Sequence, residues 1–280
     1  MRRLSLTSVA FIISLAPNLA GAGGPRSVEV EPAAMPPGFE TYRGYMFDLS
    51  ENSDRKDSVA IADNFRRQLD VVENVGLSPK VLEFFHSVPM IASEMACLDE
   101  GAGIACYGFS VPAGASRASR TYTTWDEAER RWTNPNFLDL AADAGTGVIM
   151  LRPNMLKYAE DPVMLHELLH AYHAKLMPQG FDNLGIRAYF GEAMSKQVFG
   201  KEDYAMKNHK EFFAVTASIF LAGKESIHEP HTRARLKEKM PKYYKYLVEL
   251  FGFDPDGSTP VASTSTPPPV SADAMAPGGT

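Results

Sequence analysis

The segment His166-Glu167-Leu168-Leu169-His170 constrains this chain more than any other. Two histidines four residues apart stack on one face only if the backbone is helical, at 3.6 residues per turn. On that face both imidazoles reach a single metal ion, while Glu167 stands about 100° round the axis, beside the ion and free to hold a water. With 7 His in 280 residues, the pattern arises by chance on the order of 0.01 times. The fold must therefore supply a sheltered helix here, and a second element to complete the ligand set. Asp161-Pro162 predicts the helix start, with Asp161 as N-cap and Pro162 in the first turn. Met164, Leu165, Leu168, Leu169, Tyr172 and Leu176 can bury a helix running to about Met177.

A catalytic zinc takes three protein ligands and keeps one position open. His173 lies seven residues from His166 on the same face. It is about 4.5 Å further along the axis than His170, and an unbroken helix cannot wrap three such residues round one ion. It is read as a surface histidine or one lying just outside the ligand set. Two glutamates downstream compete for the third place. Glu192, in Gly191-Glu192-Ala193-Met194-Ser195, has the placement of the downstream Glu of thermolysin-like enzymes, although Lys196 stands where those carry Asp. Glu211, in His209-Lys210-Glu211-Phe212-Phe213-Ala214, is the other. The residues alone leave both open.

The stretch from Tyr204 to Ala214, Tyr-Ala-Met-Lys-Asn-His-Lys-Glu-Phe-Phe-Ala, resembles the family of the anthrax lethal factor catalytic domain and the clostridial Pro-Pro endopeptidases. Met240-Pro241-Lys242-Tyr243-Tyr244 continues the likeness, which covers about Gly147 to Phe251 and not the N-terminal half. The resemblance implies a zincin-like α+β domain that hydrolyses peptide bonds with one Zn2+ per chain. It implies His166, His170 and Glu211 as zinc ligands, Glu167 as general base and Tyr204, seven residues before Glu211, as donor to the transition state. It also departs from the family pattern, EFFAEAF, because Val215 stands in place of the second Glu. If that Glu orients a ligating histidine, Glu192 is the candidate replacement. In zinc peptidases of this order an edge strand before the helix pairs with the substrate backbone, and Gly147-Val148-Ile149-Met150-Leu151 is assigned that part.

The remaining sequence frames this centre. Asp57–Val75 carries apolar residues at helical spacing, Gly76 ends it, and Ser78-Pro79 opens a shorter helix through Phe85. Met90–Arg120 favours loops and short strands, and Trp125–Trp132 is read as a helical turn. After the His166 helix come helices over 185–199, Asn208–Ala222 with Gly223 as stop, and Pro230–Phe251 kinked at Pro241. Strands early and helices late predict an α+β domain over 41–253.

Arg2 and Arg3, the apolar run Val9–Leu15 and Ala20-Gly21-Ala22 predict a signal peptide over 1–22 and an exported, periplasmic or secreted, protein. A flexible lead-in follows over 23–40, and the Pro/Ser/Thr-rich 254–280 reads as a disordered tail. In an oxidising compartment Cys97 and Cys106, nine apart around Gly101 and Gly103, are expected to form a disulfide. The net charge of −6 argues against nucleic acid as a partner, since phosphate binding needs a basic face. No segment reaches the ~18 apolar residues of a membrane span. A peptide or protein substrate remains the expected partner, bound either for hydrolysis or, alternatively, without chemistry.

Overall fold

The computed structural model describes residues 38–94, Cys97, 103–108, 124–126, 131–133 and 145–257. The segment read as a signal peptide, the segment read as a lead-in up to residue 37 and the segment read as a tail from residue 258 lie outside the described residues. The architecture is α+β, a small mixed sheet followed by a helical C-terminal half.

The sheet begins with the hairpin β1 (Phe39–Tyr42) and β2 (Tyr45–Asp48), closed by Arg43 and Gly44. Both turn residues have positive φ, 49° and 91°, the condition for a two-residue turn that matches strand twist. Two helices follow, α1 (Ser58–Asn74) and α2 (Pro79–His86), the latter capped by the Ser78 side chain as the sequence predicts. Then come β3 (Met90–Ala92) and β4 (Ala105–Gly108). The strands β5 (Thr124–Asp126) and β6 (Arg131–Thr133) form a separate antiparallel pair. Paired strands therefore stand at both ends of the segment where Trp125–Trp132 is read as a helical turn. Each strand holds β-favouring Thr and Trp, which weigh towards strand.

The last strand is β7 (Val148–Leu151), and the five-stranded sheet has the order β1-β2-β3-β7-β4. β7 runs parallel to β3 and antiparallel to β4. It is thus paired on both sides, and all four of its residues are buried, which corrects the assignment of Gly147, Val148, Ile149 and Met150 to a substrate-pairing edge. An unbroken apolar run is the mark of an interior strand, covered on both faces. Gly147, at φ 81°, meets the Tyr107 ring where a Cβ would stand, so it serves packing. The edge beside the site is β4, which has no second neighbour among the described residues.

The helical half comprises α3 (Pro153–Leu156), α4 (Val163–Lys175), α5 (Leu184–Ser195), α6 (His209–Ala222), α7 (Arg233–Lys239) and α8 (Pro241–Phe251). α7 and α8 are two helices where one kinked helix is expected. Pro241 opens the second, and Met240 between them has left the helical region at ψ 62°. That is the bias a proline imposes on its predecessor. Asp254 and Asp256, which fall in the segment read as a tail, are tied to the helical half. Tyr244 Oη donates to Asp254 at 2.6 Å, and Arg233 pairs with Asp256 at 2.9 Å.

One core joins the two halves. Tyr45, Phe47, Met90, Ala92, Ile149 and Leu151 from one sheet face pack with Phe65, Leu69 and Val72 of α1 and with Leu165, Leu168 and Leu169 of α4. α6 continues it with Phe212, Phe213 and Phe220, all fully buried. Thr216 Oγ1 lies 2.8 Å from Tyr243 Oη, which fixes α6 against α8. Cys97 and Cys106 are disulfide-bonded with Cα atoms 5.7 Å apart, so the bond ties β4 to the chain following β3.

Candidate metal centre

α4 is buried on nearly all sides, from Met164 to His173 apart from His166. Its start has no local side-chain cap. The N-cap is Pro162 rather than Asp161, and α1 does the capping instead. Gln68 Oε1 accepts from Met164 N at 3.3 Å, and Gln68 Nε2 donates to Asp161 O at 2.8 Å. One amide thereby satisfies an orphan helix donor and the carbonyl beside it.

α6 is held differently. Asn208 Oδ1 accepts from Lys210 N at 2.9 Å and Glu211 N at 3.0 Å, a side-chain N-cap. Glu211 therefore sits in the first turn, where the helix dipole favours a carboxylate. α4 and α6 are packed together so that His166 Nε2, His170 Nε2 and Glu211 Oε2 converge. Their separations are 3.1 Å between the imidazoles, 3.2 Å from His166 to Glu211 and 3.3 Å from His170 to Glu211. Zinc ligands at 2.0–2.1 Å in tetrahedral order stand about 3.3 Å apart. Two imidazole nitrogens and a carboxylate oxygen on such a triangle form a group that could hold a metal ion.

The three groups also set one another's charge. Burial pulls His166 down, but its bond to Glu211 and the charges of Glu167, Glu211 and Asp161 outweigh this and leave it raised. Burial pushes Glu211 up, yet its bonds to His166 and His170 hold it well below the carboxylate range. Glu211 is therefore an anion across the neutral range, as a ligand must be.

Glu192 does not reach this group. Its carboxylate pairs with Lys196 at 2.6 Å on the outer side of α5, which removes it both as third ligand and as stand-in for the Glu absent at Val215. Val215 itself is buried, packed with Ala205 and Ile219. Asp161, whose charge acts on His166 and which lines the same cavity, is the carboxylate near that histidine besides Glu167 and Glu211. His173 is not at the surface either. It is fully buried, both ring nitrogens lack a hydrogen-bond partner among the described residues, and its ring lies 5.0 Å from Phe213 and 5.3 Å from Phe181.

Two cavities meet at the triangle. The first, about 280 Å³, is apolar and lined by Val163, Val215, Ile219 and Ile227 beside His166. The second, about 500 Å³, opens on the His170 and Glu211 side and is more polar. Glu167 and Tyr204 line both, as do Gly103 and Ala105 at the start of β4. Tyr204 opens a 3-10 turn (Tyr204–Met206) capped by Asp203 Oδ1, which accepts from Ala205 N at 2.9 Å, and its ring lies 6.2 Å from that of His166. Asp203 Oδ2 also accepts from Glu229 N at 2.9 Å, so the turn is tied to the loop before α7. That loop brings His228 to 5.1 Å from the Tyr204 ring. Nothing in the sequence marks His228 for this place, since the Asp203 bridge that ties the loop back is a tertiary contact.

No family model matches the chain, and neither a curated protein nor a solved structure matches it.

Proposed function

We propose that this chain is an exported zinc-dependent endopeptidase with a zincin-like catalytic domain. The observation that carries the reading is the convergence of His166, His170 and Glu211 at 3.1–3.3 Å beneath a cleft that Glu167 and Tyr204 both line. The resemblance of the Tyr204–Ala214 stretch supports the same roles. The disulfide is compatible with export, and no helix among the described residues is long and apolar enough to cross a membrane.

His166, His170 and Glu211 would hold the ion. When bound, zinc supplies a Lewis acid that polarises a carbonyl and brings the pKa of a water towards 7. The Glu167 carboxylate takes the proton of the attacking water and delivers it to the leaving amide nitrogen, so water is split across the C–N bond. Tyr204 Oη donates to the oxygen that gains charge in the tetrahedral state. Asp203 fixes the turn from which Tyr204 acts. β4 offers backbone N–H and C=O groups to an extended peptide, which aligns the scissile bond over the centre.

A second reading, peptide binding without hydrolysis, draws on Val215, which leaves an apolar side chain where the family carries a carboxylate. Zinc content and cleavage of a mixed peptide library by wild type and Glu167→Ala separate the two. One zinc in each with cutting by wild type alone is the expected result. Zinc in both with no cutting gives the site to the binding reading, and full zinc in Glu211→Ala would remove the proposed ligand set.

A further inference from the structure

We infer that the polar half of the cleft is a subsite for a substrate carboxylate, held by Lys207 and Lys210; this rests on the peptidase reading above. Both lysines line the 500 Å³ cavity on the His170 side. Lys210 Nζ lies 4.6 Å from the Phe181 ring centroid and Lys207 Nζ 5.4 Å from that of Tyr204. Such contacts hold an ammonium over a ring and leave its other donors for an incoming anion. Neither lysine has an ion-pair partner among the described residues.

The charges around this cavity decide the class of ligand. Among the described residues its carboxylates are Glu167 and Glu211, two against the two lysines. Glu211 is already engaged by both histidines. A divalent ion on the triangle adds two positive charges, leaving the half-cleft positive on a chain whose net charge is −6. The groups of a peptide that answer such a field are carboxylates, either Asp or Glu side chains or the C-terminus. The opposite cavity, with Val163, Val215, Ile219 and Ile227, takes an apolar side chain. The two halves meet at Glu167 and Tyr204, so the carboxylate falls on one side of the scissile bond and the apolar residue on the other.

The test uses the full chain and a peptide library with matched Glu and Gln at every position, each peptide made with a free and an amidated C-terminus. Cleavage by wild type and retention by zinc-loaded Glu167→Gln are both read. The expected result is enrichment of Glu over Gln, or of free over amidated termini, by about fivefold on one side only, weakened at high salt. Dependence on Glu against Gln identifies a side chain, and dependence on amidation identifies the terminus. In Lys207→Glu/Lys210→Glu, with zinc content unchanged, the preference is expected to vanish or invert. Equal retention of acidic and neutral peptides, or a preference that survives in the double variant, overturns the inference. If wild type cuts with no acidic preference, the subsite falls and the peptidase stands. If nothing is cut but acidic peptides are retained through the lysines, the subsite stands and the peptidase reading falls.

Discussion

Tyr204 stands at the join of the two cavities, and its hydroxyl is the one oxyanion donor the proposed mechanism draws from a side chain. Tyr204→Phe removes that donor and keeps the ring. The expected outcome is a loss of about 10²–10³ in kcat, with zinc content unchanged and KM moved little, because a single such donor is worth that much in comparable sites. Steady-state kinetics on one library-derived peptide checks it. His173 makes a different prediction. Burial, with the charges of His170, His209 and Lys210 adding to it, pulls its imidazole down to about 3. An unfolded histidine titrates near 6.5. Between those values the unfolded chain binds a proton that the folded chain refuses. Its contribution is therefore full above about pH 6.5 and is lost as pH falls towards 3, by at most about 1.4 kcal/mol per pH unit. Urea unfolding of wild type and His173→Gln from pH 7 to 4 should show the variant with the shallower decline.

Gln68 links two elements that are nearly a hundred residues apart, and it is the only side-chain partner described for the first turn of α4. Gln68→Ala strands Met164 N inside the protein, so a loss of about 1–3 kcal/mol is expected from denaturant midpoints at constant m. Gln68→Glu restores only the acceptor and should recover part of it. This element also shows where the sequence was legible. The histidine spacing specified a helix and two imidazoles on one face, since no other regular structure brings residues i and i+4 together. Asn208 and Gly223 marked both ends of α6, because their caps use local backbone geometry. The capping of α4 was not legible, as it depends on a side chain brought by tertiary packing. β7 carried the mark of an interior strand in its unbroken apolar run, and expecting a strand at the edge there assigned the right segment the wrong neighbour. β4, with Gly and Ala for half its length, has too little pattern to be read. The burial of His173 was equally hidden, because a lone histidine on a helix gives no sign of what packs over it.

At the scale of the molecule, the proposed ligands come from α4 and α6, and these helices are also the centre of the core. An ion that binds only the folded chain stabilises it by mass action, by about 4 kcal/mol at a free concentration a thousand times Kd. Dialysis against a chelator should therefore lower Tm by several degrees as well as abolish cleavage, and added zinc should restore both. Glu211→Gln should abolish most of that zinc-dependent rise in Tm, because a neutral amide is a far weaker ligand than a carboxylate.

That arrangement has a consequence for how long the protein lasts. The two helices joined at the triangle share Leu169, Phe212 and Phe213 with the rest of the interior, so neither can open without disturbing the other. On the proposed metal reading, a chain without the ion would lack a fastener between its innermost segments, and the population open to attack by proteases would rise. Persistence in a compartment would then follow the supply of metal there, and the copies that survived longest would be the loaded ones.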